Sequence, residues 1–214
     1  MTTHDVSPAN HAPTAQSTAP QRLSRDQLEA SLRASLAHWN GRAPLWVFGY
    51  GSLIWKPELD FELRLPARVH GYHRRLCLRS VMYRGTAESP GVVAGLDRGG
   101  SCAGVLFRVP AAAVRAQFPA LWERELLLGS YAPRWLSARR LDRGTLVRAL
   151  AFVVRRDAVN YCGQIEERQL LSMVANARGH RGSSLEYLQH TVAALREVGL
   201  RDPHLERLLQ TVAK

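Results

Sequence analysis

The chain has 214 residues, 46% hydrophobic and 22% charged, a size and balance that suit one soluble globular domain with a short tail. No apolar run approaches the roughly 18 residues a membrane span needs, and the stretch Met1 to Gln21 lacks the basic start and apolar block of a secretory signal, so a cytoplasmic protein without a membrane partner is expected. The formal net charge of +11 is a footprint that nucleic-acid binders share, but the basic residues, all arginine except Lys56 and Lys214, are scattered without an aromatic-interleaved stripe. That pattern excludes a standard nucleic-acid module and leaves a solvated arginine-rich surface, or an acidic partner or anionic substrate.

Residues 1–23 are rich in Ala, Thr, Ser, Pro and Gln, a composition that offsets little of its own ordering entropy, and are expected to form a disordered tail before one domain over 24–214. A first helix begins after Ser24, a natural cap, and carries Leu28, Leu32, Leu36 and Trp39 on one stripe before ending near Asn40-Gly41. From Leu45 to Val109 turn residues recur at short intervals between apolar or alternating segments. LWVFG, ARVHGYHRRLCLRS, GVVAGLDR and SCAGVLFRVP read as strands of a β-rich core. The next segment, AAAVRAQFPALWEREL, has helical period with Val114, Phe118, Leu121 and Leu126 inward, and Pro119 is expected at a kink or junction.

APRWLSARRL and TLVRALAFVVRR then read as a strand pair around LDRGT, and the last third is helical. There Gly179 and Gly199 stand where C-caps belong, and Asp202-Pro203 reads as N-cap and N1. Strands first and helices clustered late predict an α+β fold rather than a doubly wound parallel sheet. Cys77, Cys102 and Cys162 are widely spaced, with no CxxC pair, and read as small buried hydrophobes.

Three groups of residues carry possible chemistry. The first is Gly49-Tyr50-Gly51-Ser52-Leu53, where glycines interrupt a strand and mark either a simple bulge or a place where a ligand nears the backbone. Successive N–H groups in such a turn form an anion-binding nest, although the sequence is neither a phosphate loop nor a dinucleotide fingerprint. The second is Glu123 and Glu125, which a helix separates by about 200°. Glu125, among leucines and Trp122, would then face inward with a carboxyl raised by desolvation, as a general base requires, unless both acids are surface charges paired with arginines. The third is Arg79, Tyr83, Arg84 and Gly85 with the Ser89-Pro90-Gly91-Val92 turn, where an arginine either clamps a carboxylate or is solvated. His70 and His73 have no third ligand nearby, so no metal site is expected.

Taken in order, FGYGSLIW (Phe48 to Trp55), Arg84-Gly85-Thr86 with Pro90-Gly91, Arg124-Glu125 followed by Gly129-Ser130-Tyr131, and Glu186-Tyr187-Leu188 resemble the ChaC-like γ-glutamylcyclotransferases. The resemblance covers about residues 24 to 214. It implies a small mixed β-barrel with flanking helices, and cleavage of glutathione to 5-oxoproline and Cys-Gly without metal or organic cofactor. It places the catalytic glutamate on Glu125 and the substrate loop on Tyr50, Gly51, Ser52 and Leu53. Arg79 and Tyr187 are weaker expectations for contacts to the substrate's carboxylates or amine. Ser130 stands where the family often has a second glycine, in a turn where positive φ would strain a serine. A related enzyme acting on γ-glutamyl amino acids or amines, or a non-enzymatic binder of anionic ligands, shares these features apart from pocket shape and the inward acid.

Overall fold

A computed structural model describes residues 22–213, so most of the expected tail, residues 1–21, lies outside the described residues. The helix α1 (Arg25–Leu36) starts at a capping box in which Ser24 accepts from the Gln27 N–H and Gln27 accepts from the Ser24 N–H. Leu28, Leu32, Leu36 and Trp39 pack from it onto the core. Arg22 and Leu23, read from sequence as tail, lie against the domain, where Leu23 N–H donates to Leu127 O at 2.8 Å and Arg22 lines the cavity described below.

Five strands close into a barrel in the order β1 (Leu45–Gly49), β3 (Gly91–Val109), β2 (Leu63–Ser80), β4 (Tyr131–Arg140), β5 (Leu146–Val154). All neighbours are antiparallel except β1 and β5, whose parallel pairing of Trp46 with Ala149 and Val47 with Leu150 closes the barrel and makes it mixed. The α+β class with a small mixed barrel and flanking helices is therefore what the chain adopts. GVVAGLDR and SCAGVLFRVP are one strand rather than two. Gly99 and Gly100, both at positive φ, bend β3 opposite Gly71 on β2, which is also at positive φ, so the hairpin turns without breaking.

The helix α2 (Ala111–Leu126) runs unbroken through Pro119, which therefore is not a junction between two helices. It buries Val114, Phe118, Leu121, Trp122 and Leu126, and the Phe118 and Trp122 rings stack with centroids 5.7 Å apart. Each such fully buried side chain is worth about 1.5–3 kcal/mol. The chain then passes β4 and β5 and enters α3 (Glu167–Asn176), α4 (Ser184–Glu197) and α5 (Pro203–Val212), with a two-residue hairpin between α3 and α4, β6 (Arg178–Gly179) and β7 (Gly182–Ser183). Gly179 is thus a hairpin residue, not a cap, because α3 ends at Asn176 and Ala177 already has extended φ and ψ. Gly199 does follow α4 at positive φ, and Asp202 caps α5 ahead of Pro203.

Period-two alternation in β1 splits the core. Phe48 joins the cluster that packs against α3, α4 and α5, whereas Leu45 and Val47 join the one that packs against α1 and α2. Cys77 and Cys102 are buried as expected, and Cys162 is half-buried. One of the supposedly solvated arginines is not solvated. The Arg74 side chain is 3% exposed and donates to Tyr50 O, Ala103 O and Asp202, tying the loop after β1 to the start of α5. Among the described residues no helix is long and apolar enough to cross a membrane.

Candidate active site

At the end of β1 the chain leaves the sheet and turns through one 3-10 turn, Ser52–Ile54. Ile54 N–H donates to Gly51 O at 2.9 Å, so the N–H groups of Gly51, Ser52 and Leu53 precede the first bond of that turn and have no acceptor within it. Glycine is required at 51 by proximity. A Cβ there would stand 2.8 Å from the Tyr187 hydroxyl and 3.7 Å from Ala94 Cβ. Tyr50 and Leu53 are buried behind the loop, and the Tyr50 hydroxyl donates to Phe152 O at 2.6 Å. From this loop Ser52 reaches the wall of a cavity of about 730 Å³, a volume suited to a small ligand.

The last turn of α2 supplies the neighbouring stretch of wall. Glu123 faces solvent while Glu125 faces the cavity, its side chain 12% exposed and 3.1 Å from Arg124 Nε. Burial pushes the Glu125 carboxyl up. Arg124 pulls it back, the Glu58 charge adds to the rise and Arg181 opposes it, and the balance stays above the ordinary glutamate value. Arg124 also donates to Lys56 O at 2.6 Å, Glu58 Oε2 at 2.8 Å and Ser52 Oγ at 3.2 Å, so one guanidinium fixes the acid relative to the loop. Burial also favours a neutral Glu58 carboxyl, but Lys56 and Arg124 outweigh it and hold that group below its usual range.

Tyrosines line the floor. Ala94 N–H donates to Tyr187 Oη at 3.2 Å, and the Tyr131 hydroxyl donates to Ala94 O at 2.7 Å, so both main-chain groups of one β3 residue are satisfied by side chains. The Tyr187 hydroxyl proton remains unspent in that bond. Burial raises the phenols of Tyr50, Tyr131 and Tyr187, which keeps all three neutral at physiological pH. Trp55 meets Tyr187 edge to face at 6.1 Å and lies 5.0 Å from His190, one helical turn further along α4.

Arg79, exposed at the end of β2, also lines the cavity. Its backbone is held by Asn160 through N–H to O at 2.9 Å and C=O to Nδ2 at 3.1 Å, while its guanidinium makes no ion pair among the described residues. Ser130 is unstrained: the positive φ of this turn belongs to Gly129, and the Ser130 hydroxyl lies 3.1 Å from Asn160 Oδ1. The structure therefore gathers Ser52, Arg79, Glu125 and Tyr187 round one space and sets Tyr50, Gly51 and Leu53 behind it. His73 lies apart, its Nδ1 2.9 Å from Gly99 O. Trp55 and Tyr131 entered only as members of the quoted motifs, and sequence reasoning missed Glu58, Asn160, Arg181 and His190, all cavity residues. Of these only His190 had a local signal, its i+3 spacing from Tyr187.

A closed mixed barrel with flanking helices, and a ligand-sized cavity with a buried acid in its wall, define the γ-glutamylcyclotransferase-like fold. The yeast gamma-glutamyl cyclotransferase specific to glutathione superposes with a TM-score of 0.72 at 23% identity, covering 80% of this chain and 96% of the yeast chain. The family model for ChaC-like protein matches residues 45–214, and the chain belongs to that family. The glutathione-specific gamma-glutamylcyclotransferase of Escherichia coli is 36% identical over 191 residues, 89% of this chain and 82% of the relative. Glutathione-specific gamma-glutamylcyclotransferase 1 of mouse is 32% identical over 204 residues, 92% of each chain.

Proposed function

We propose that this protein is a glutathione-specific γ-glutamylcyclotransferase that converts glutathione to 5-oxoproline and Cys-Gly. The names of its relatives support the activity, and the observation that carries it is Glu125, a carboxyl raised by burial, in the wall of a ligand-sized cavity beside the glycine loop. The substrate's α-amine attacks its own γ-carbonyl carbon. A C–N bond forms there, the bond from that carbon to the cysteine nitrogen breaks, and a proton moves from amine to leaving nitrogen. Glu125 takes the proton and returns it, a role for which a raised pKa is suited. The N–H groups of Gly51, Ser52 and Leu53 hold the γ-glutamyl head and the developing oxyanion, and Tyr50 acts from behind by pinning the loop to Phe152.

Tyr187 offers its hydroxyl proton to the γ-glutamyl group, and Arg79 offers its guanidinium to a substrate carboxylate. Folding the γ-glutamyl chain back on itself supplies much of the acceleration, on the order of 7–11 kcal/mol for a well-oriented intramolecular attack. The same reading places the protein in the cytoplasm, where thiols such as Cys77 and Cys102 stay reduced. The test is to incubate the purified protein with glutathione, γ-Glu-Ala and γ-Glu-ε-Lys and measure 5-oxoproline by mass spectrometry, with Glu125→Gln in parallel. Product from glutathione alone, reduced about 10²- to 10⁴-fold in the variant, is expected. Undiminished turnover by Glu125→Gln removes that residue from the role, and no product from folded protein refutes the activity.

A further inference from the structure

We propose that Arg84 selects the substrate by binding the carboxylate at its far end, beyond the scissile amide, which in glutathione is the glycine carboxylate; the inference rests on the cyclotransferase reading of this cavity. Arg84 comes from the connection between β2 and β3, and its backbone is held on both sides. Its N–H donates to Ser80 Oγ at 2.9 Å, and its C=O accepts from Ser184 Oγ at 3.1 Å. Gly85 and Gly91 allow the two arms of this connection to touch, since a Cβ on Gly85 would overlap Gly91 N and one on Gly91 would overlap Arg84 O. The result is a rigid base for a long side chain.

The guanidinium is placed with equal care. It lies over both the Trp55 and the Tyr187 rings, 5.6 Å from each centroid, and lines the cavity. Two aromatic faces hold the cation's plane and leave its N–H edges for a ligand. Its only side-chain hydrogen bond among the described residues runs to Ser183 O at 3.5 Å, at the limit of such a bond, and it forms no ion pair there. Arg124 and Arg74 each satisfy three or more acceptors, so Arg84 differs in having donors left over. Burial holds its pKa below the ordinary arginine value, although the Tyr187 hydroxyl and the Glu186 charge pull it up and only Arg181 adds to the fall. A carboxylate received edge-on, with two parallel N–H···O bonds, is the ligand chemistry that matches these donors.

The far carboxylate is favoured over the α-carboxylate of the γ-glutamyl head by position. That head must sit at Glu125 for its amine to be deprotonated, and the guanidinium in direct contact with the Glu125 carboxyl, at 3.1 Å, is that of Arg124. Two residues of extended peptide beyond the scissile amide reach about 7 Å further within the same cavity, whose lining includes Arg84, Trp55 and His190.

The experiment measures dissociation constants of the Glu125→Gln protein for glutathione and for its glycine carboxamide by calorimetry, with and without Arg84→Met, and 5-oxoproline formation by the unmutated protein. Free glutathione is expected to bind about 10- to 100-fold tighter than the carboxamide, a preference that Arg84→Met reduces to near unity. Arg84→Lys, which keeps the charge but loses the fork, should retain a preference of a few-fold, so the proposal is tested even if the methionine variant does not fold. Equal affinities in the parent, no binding of either compound, or a preference that survives Arg84→Met each overturn the assignment. A preference lost in Arg84→Met from a protein that forms no 5-oxoproline upholds Arg84 as the carboxylate receptor and refutes the cyclotransferase reading instead.

Discussion

Gly51→Ala offers a quantitative test of why glycine occupies the loop. The new Cβ would sit 2.8 Å from the Tyr187 hydroxyl, closer than a methyl carbon tolerates, while Ala94 Cβ at 3.7 Å is in ordinary contact. The Tyr187 ring cannot retreat freely, because Trp55 meets it edge-on and Arg84 lies over it. What yields is the 3.2 Å hydrogen bond from Ala94 N–H to Tyr187 Oη, leaving a buried donor without an acceptor at a cost of about 1–3 kcal/mol. For a domain of this size that loss lowers the melting temperature by about 2–12 °C. Tyr187→Phe removes the same acceptor and should cost a similar amount by itself. The double variant then has neither the clash nor a further bond to lose, so its penalty should match Tyr187→Phe alone, about 1–3 kcal/mol, rather than the sum of about 2–6 kcal/mol. Denaturant unfolding of the four proteins measures the cycle. Additive penalties would refute the reasoning, because they would mean that the alanine acts somewhere other than at the Tyr187 hydroxyl.

The raised Glu125 carboxyl also makes a claim about stability. A folded-state pKa above the unfolded value contributes stability that is fully present below the unfolded glutamate value and lost as pH rises through the folded one. Glu125→Gln, which has no such titration, should therefore gain in melting temperature relative to the unmutated protein as pH is raised from about 4 towards neutrality. A difference that stays constant over that range contradicts the raised pKa. In the connection between β2 and β3, Gly91→Ala would drive a methyl group into Arg84 O and the Ser184 hydroxyl. This overpacking should cost about 1–3 kcal/mol or more, and circular dichroism melts that leave the midpoint unchanged would show that the two arms do not touch as described.

Several features were legible because they depend on neighbours in the chain. The Ser24 to Gln27 capping box, the Asp202-Pro203 start of α5 and the inward set Val114, Phe118, Leu121 and Leu126 follow from residue type and helical period. The opposite facing of Glu123 and Glu125 has the same origin, since 100° per residue separates them whatever surrounds the helix. The glycine at 129 carries the positive φ that the turn needs, so Ser130 is free to be a serine. Local rules fail where a partner is distant. Gly179 has the sequence position of a cap, yet the hairpin with Gly182 takes it.

Barrel closure joins Val47 to Leu150, the Tyr50 hydroxyl finds Phe152 O, and Arg74 is buried because Asp202, Tyr50 O and Ala103 O converge on it from separate elements. Periodicity states which face of an element is apolar, not which other element covers it, so none of these pairings was readable beforehand. The cavity is the same kind of property: Ser52, Arg84, Glu125 and Tyr187 come from a loop, a hairpin connection and two helices. The sequence by itself determined the segments and the residue types that carry chemistry, through short-range sterics and capping. Only tertiary structure decided their distances, because burial and long-range hydrogen bonding, which raise the Glu125 pKa and leave Arg84 without an ion pair among the described residues, exist only once the barrel has closed.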